Sequence, residues 1–285
     1  MHLDKVLARV FPETQATYTA RDTIIYALGV GFGAEPLDPD HLRYVYEEGL
    51  RASPTLANVL AHPGFWQRGP EYGIDWKKLL HGEQRLTIHK PLPAEGNVVA
   101  RHDIMGVRDR GEGAGATLYQ RKTVLDAATG DKLASVVTTL MLRGDGGCGD
   151  YGDAPPELAK LPERAPDQSV DVASFEMQPL IYRLSGDINP LHIDPEVAKA
   201  AGFDRPILHG LATKGLAGYA LLKACCGFDP KRLKAMALRF SRPVMPGDRI
   251  RFDIWDEGGG NIRFRAVVPE KDQIVLDRGT AEIAA

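Results

Sequence analysis

Leu211-Ala212-Thr213-Lys214-Gly215-Leu216-Ala217-Gly218-Tyr219-Ala220-Leu221-Leu222-Lys223-Ala224-Cys225-Cys226 is apolar except at Thr213, Lys214 and Lys223, and Gly227 closes it. The run reads as a helix stopped by glycine. A helix apolar around its whole circumference must be covered on most sides. Gly215 and Gly218 cost helix propensity but let neighbouring chain approach the helix backbone.

The cover is legible on either side. Downstream, Arg249–Trp255, Ile262–Val268 and Ile274–Ile283 are strand-like, with Gly258-Gly259-Gly260-Asn261 as a turn. Upstream, Val98–Val107, Thr117–Leu125 and Leu133–Leu142 repeat the pattern. Their connections are too short for crossover helices, so the strands are expected to be antiparallel. Between the two sets, glycines 144, 146, 147 and 149 and prolines 155, 156, 162 and 166 mark a linker. The expected organisation is therefore a unit over 1–143, a linker over 144–171 and a second unit over 172–285.

The two units echo each other. Leu86-Thr87-Ile88-His89-Lys90-Pro91-Leu92-Pro93 aligns with Leu238-Arg239-Phe240-Ser241-Arg242-Pro243-Val244-Met245. Tyr26 followed by Asp38-Pro39 aligns with Tyr182 followed by Asp194-Pro195. Two anchors in one order point to an internal duplication. A buried helix wrapped by an antiparallel sheet is the hot-dog arrangement. The expected fold is α+β, a double hot dog in which two antiparallel sheets each wrap a long central helix.

Composition excludes several classes. Apolar residues make up 44% and charged residues 26%, with a net charge of -3, which fits a soluble globular chain and not a nucleic-acid or anionic-membrane binder. Three cysteines, two of them adjacent, give neither a disulfide framework nor a zinc spacing. No signal-peptide pattern opens the chain, and Glu282-Ile283-Ala284-Ala285 is not a Ser-Lys-Leu address, so a cytoplasmic location is expected. Gly29-Val30-Gly31-Phe32-Gly33 lacks dinucleotide-loop spacing, and no G-x-S-x-G elbow surrounds Ser185.

The chemistry concentrates in Tyr182-Arg183-Leu184-Ser185-Gly186-Asp187-Ile188-Asn189-Pro190-Leu191-His192-Ile193-Asp194-Pro195. Asp194 and Pro195 open a helix, and Asn189-Pro190 makes a turn. Those needs do not call for Asp187 and His192. A carboxylate and an imidazole flanking a rigid turn can converge to hold a water and move its protons. Downstream, Gly210 would place a free backbone N–H at the start of the apolar helix, where negative charge is favoured.

This stretch, followed by His209-Gly210, resembles the hydratase 2 motif of MaoC-like enzymes. Leu80-His81-Gly82-Glu83-Gln84, Lys90-Pro91-Leu92-Pro93 and Leu142-Arg143-Gly144-Asp145-Gly146-Gly147-Cys148-Gly149 resemble the first half of the long, eukaryotic-type enoyl-CoA hydratase 2. The resemblance implies R-specific hydration of trans-2-enoyl-CoA. It makes Asp187 and His192 the acid–base pair, Asn189 their orienting neighbour and Gly210 the oxyanion donor. It implies CoA or rim contacts at His81, Gly82, Arg110 and Phe240. Arg110 stands where a relative carries Lys, which keeps the charge and changes its geometry.

No metal and no cofactor beyond the CoA of the substrate is expected. No nucleic acid or membrane partner is expected, and the resemblance implies a homodimer. The first half has Gly29-Val30-Gly31 opposite Ser185-Gly186-Asp187 and no histidine at the catalytic spacing. It is expected to be catalytically empty and to house a fatty acyl chain. The competing functions are a hot-dog acyl-CoA thioesterase and a non-catalytic acyl-CoA-binding module.

Overall fold

Alternation of apolar and polar residues dictates most of this architecture. The computed structural model describes all 285 residues. The first half runs α1 (Leu3–Leu7), β1 (Thr14–Tyr18), α2 (Ala20–Gly29) and α3 (Pro39–Leu42), then β2 (Leu79–Ile88), β3 (Gly96–Asp109), β4 (Ala116–Asp126) and β5 (Lys132–Leu142). After β6 (Tyr151–Gly152) come β7 (Gln168–Ala173), α4 (Gln178–Tyr182), α5 (Pro195–Ala200) and α6 (Gly210–Cys225). The chain ends with β8 (Leu233–Phe240), β9 (Arg249–Asp256), β10 (Asn261–Val268) and β11 (Gln273–Ile283).

All strand pairs are antiparallel, and the main order is β1-β3-β4-β5-β2-β8-β11-β10-β9-β7. The chain is a double hot dog. The two expected sheets are joined into one, because β2 pairs with β8 from Glu83↔Arg239 to Thr87↔Ala235. The aligned segments of the duplication thus meet edge to edge, and this pairing covers the free edge that each half would otherwise expose. Glu83 and Arg239 also form an ion pair across the seam at 2.8 Å.

The helices depart from the expectation. Only the second half has a long central helix, α6, buried from Ala212 through Leu222. In the first half, prolines 54, 63 and 70 and glycines 64, 69 and 73 break the chain between α3 and β2 into short 3-10 turns. The turn Pro54–Asn58 contacts β2, β5 and α6, lying where a second central helix would run. The segment expected as a linker is also partly strand. Tyr151–Gly152 pairs with β3, and β7 begins at Gln168, where alternating residues cover the outer edge of β9.

Small residues let α6 sit deep. A Cβ on Gly215 would lie 2.3 Å from Val30 Cγ1, so only glycine admits this approach of α6 to the segment after α2. The main core spans both halves, from Tyr26 and Tyr44 to Leu216, Phe252 and Phe264. A smaller core of Val6, Trp66, Tyr72, Leu118 and Leu142 covers the other face of the first half's strands. No helix is long and apolar enough to cross a membrane.

Candidate active site

The segment between α4 and α5 is shaped by turn chemistry. Gly186 has φ of 113°, a left-handed value that turns the chain out of the 3-10 turn Arg183–Ser185. The Asp187 carboxylate accepts from Asn189 N at 3.3 Å, and Asn189 Oδ1 accepts from Leu191 N at 3.2 Å. Pro190 then opens a turn that ends at His192, and Asp194 caps α5. Asn189 therefore acts on the backbone between the two titratable residues, and its own side chain is spent on that turn.

The carboxylate of Asp187 and the ring nitrogens of His192 and His209 lie within 4.8 Å of one another. His192 is buried, and its Nδ1 donates to Ile207 O at 2.8 Å. That bond fixes the tautomer and leaves Nε2 as an acceptor. Burial lowers the His192 pKa, although the Ile207 bond and the Asp187 charge oppose it. The ring is thus neutral near pH 7.

The sequence brings in His209 only as the residue before Gly210 and gives it no role of its own. Its ring stacks on His192 with centroids 3.8 Å apart, and its Nε2 donates to Asp187 O at 3.1 Å. Burial, reinforced by His192, pushes its pKa down to about 4. A neutral, fully buried His209 clamps the Asp187 backbone to the His192 ring. His192 Nδ1 and His209 Nε2 are each committed to a backbone carbonyl, which suits His209 to positioning.

Gly210 is the first residue of α6 and is exposed, so its N–H is one of the donors that the helix itself leaves unpaired. Phe240 lies 3.4 Å from where a Gly210 Cβ would stand, and the His81 ring tilts over Phe240 at 4.6 Å. His81 is held by Gln84 Oε1 at 2.6 Å, and burial pushes its pKa down to about 4. Gly82 occupies a β-bulge between His81 and Glu83, against Met141. Gly210, His81, Gly82 and Phe240 thus form one rim.

Arg110 is not brought to that rim. It is exposed at the β3–β4 turn, with Nε donating to Thr117 Oγ1 at 3.1 Å, and adjoins Gly82 only through Thr117 and Met141.

Comparison with known proteins accounts for both halves. A family described as "MFE-2 hydratase 2 N-terminal domain" matches residues 16–144, and one described as "MaoC like domain" matches residues 157–277. The chain is 38% identical to 3-hydroxyacyl-thioester dehydratase Y of Mycobacterium tuberculosis, over 94% of this chain and 93% of that one. It is 37% identical to the peroxisomal enoyl-CoA hydratase 2 of Arabidopsis thaliana, over 96% and 93%. The crystal structure of a MaoC-like dehydratase from Phytophthora capsici superposes with a TM-score of 0.88 at 34% identity, covering 100% of this chain and 99% of that one.

Proposed function

Since the chain belongs to the MaoC-like hydratase 2 family, we propose that it hydrates trans-2-enoyl-CoA to (3R)-3-hydroxyacyl-CoA, with Asp187 and His192 as the proton-transfer pair. The observation that carries this assignment is the clustering of the Asp187 carboxylate with ring nitrogens of His192 and His209 within 4.8 Å, His209 immediately preceding the exposed Gly210 at the start of α6.

Asp187 and the neutral His192 hold the water between them. The pair takes one proton as the water oxygen bonds to C3, the C2–C3 π pair shifts into C1–C2, and the carbonyl π pair moves onto the thioester oxygen. The Gly210 N–H and the N-terminus of α6 stabilise that enolate oxygen. The pair then returns a proton to C2 as the enolate collapses, so a water has been added and nothing is oxidised or reduced. Asn189 and His209 are positioning residues, and His81, Gly82 and Phe240 shape the rim beside the thioester. Arg110, exposed and cationic, is assigned to a CoA phosphate. The chemistry requires no cofactor beyond the CoA of the substrate. A homodimer in the cytoplasm completes the reading, and sedimentation velocity checks the dimer.

The test is hydration of crotonyl-CoA and a medium-chain trans-2-enoyl-CoA, followed as loss of the enoyl-thioester absorbance, with chiral analysis of the product. The expected product is (3R)-hydroxyacyl-CoA. Release of free CoA alone would point to a thioesterase, and no reaction would leave an acyl-CoA-binding module.

A further inference from the structure

Two lysines lie in the core without a carboxylate beside them. Lys122 on β4 is 6% exposed, and Lys214 on α6 is 0% exposed. The lysines that do form ion pairs with side chains, Lys78, Lys90 and Lys271, are solvent-accessible. Lys122 Nζ donates to the carbonyl oxygens of Asn58 and Leu60 at 2.9 and 2.8 Å. Lys214 Nζ donates to Asn58 Oδ1 at 3.0 Å. In the ammonium form each has three N–H donors, so once protonated Lys122 has one and Lys214 two that no protein acceptor takes. The Tyr26 hydroxyl, 3.4 Å from where a Gly215 Cβ would stand, is also buried and without a hydrogen-bond partner.

Buried cations are stable only when paired, and these two lack an anion. Burial pulls the Lys122 pKa down to about 7 and lowers that of Lys214, which the Lys122 charge depresses further. An anion placed between them would reverse both effects.

Their position relates them to the substrate. Lys214 follows Gly210 by four residues, about 6 Å along α6 and on nearly the same face. Along that face Gly210, Lys214 and Gly218 meet Phe240, Asn58 and Thr55 in turn. From the rim, His81 bonds Gln84, whose Nε2 reaches Asn58 Oδ1 at 3.5 Å. An apolar groove of about 240 Å³ passes Ser185 and Gly186, next to Asp187, and is walled by Leu56, Val59 and Leu60. Lys122 holds the carbonyl of Leu60 in that wall, and both lysines bond Asn58 just behind it. The exposed His62 feels the charges of both Lys122 and Asp187.

We propose that Lys122 and Lys214, with Asn58 between them, bind a carboxylate at the far end of the acyl group. The preferred substrate class is then the enoyl thioester of a short dicarboxylic acid, in place of a plain fatty enoyl thioester. This rests on the hydratase reading for its reaction, but not for its binding.

The test separates the two. Isothermal titration of the unreactive pair adipoyl-CoA and hexanoyl-CoA, equal in carbon number, reads the binding site alone. The native protein should bind adipoyl-CoA at least about tenfold more tightly, the worth of one charge-assisted hydrogen bond. Lys122→Met and Lys214→Met, checked for folding by thermal unfolding, should each shrink that ratio. Equal or tighter binding of hexanoyl-CoA by the native protein, or a ratio unmoved in both variants, overturns the proposal. In parallel, hydration of trans-2-hexenoyl-CoA but not of trans-2-hexenedioyl-CoA overturns the dicarboxylic preference and leaves the hydratase standing. An adipoyl preference with neither enoyl thioester hydrated overturns the hydratase reading and leaves the carboxylate site.

Discussion

The two halves each bury a histidine near an Asp-Pro helix start, and the contrast lies in one ring nitrogen. In the first half, His41 follows the α3 cap Asp38. Its Nδ1 accepts from Gly33 N at 3.2 Å, and its Nε2 bonds Tyr219 Oη at 3.1 Å. In the second half, His192 precedes the α5 cap Asp194, uses only Nδ1, and leaves Nε2 free. The first half has Val30 and Phe32 packed on α6 and on Tyr44, whereas the second half has a carboxylate and an imidazole over the start of α6. Duplicated scaffolding thus supports packing in one half and proton transfer in the other. The difference arises where the chain spends its hydrogen bonds.

That contrast yields a graded set of expectations. The largest belongs to the second half. Asp187→Asn or His192→Ala should lower kcat by about 10²–10⁴-fold in the enoyl-absorbance assay, the scale of lost general acid–base catalysis. Binding of an acyl-CoA, read by titration calorimetry, should persist. Next, His41→Ala should destabilise the fold by about 2–4 kcal/mol in urea unfolding, from a cavity and two lost hydrogen bonds, with kcat held. A kcat loss matching that of Asp187→Asn would remove the distinction between the halves. Smaller again, Gly215→Ala should cost about 1–3 kcal/mol through its clash with Val30, measured in the same unfolding experiment.

The gentlest effect is pH dependence, in which the halves should behave alike. Burial holds His81 and His102 in the first half, and His209 in the second, near a pKa of about 4. Their folded values lie below the unfolded value of 6.5, so the unfolded chain takes up protons that the folded protein refuses. Their contribution to stability is complete above pH 6.5 and declines as the pH falls toward 4, which urea titrations across that window would follow. The acid limb of kcat/KM should fall below 6.5 as His192 Nε2 is protonated, since burial lowers that group too.

Much of this was legible in the sequence because its determinants are local. Strand alternation after each proline segment placed β3–β5 and β9–β11 nearly to the residue. The Asp187–His192 stretch declared itself because turn chemistry explains its neighbours and leaves the pair over. What stayed hidden depends on contacts between distant segments. The ring of His209 matters only once α6 brings it under His192. Asn58, Gln84, Lys122 and Lys214 are ordinary polar residues until a 3-10 turn, two strands and a helix meet. The missing second central helix, which the duplication implies, is prevented by prolines and glycines between α3 and β2.

The β2–β8 seam bears on how the molecule endures dilution. Two separate hot-dog chains holding the same edge pairing would dissociate as their concentration fell, because association of partners depends on how many are present. Tethering replaces that dependence with a fixed local concentration of order millimolar for a short flexible connection. The mating of the halves is therefore independent of expression level. A cell making few copies would keep each pair intact, and a half without a proton-transfer pair would always remain beside the half that has one.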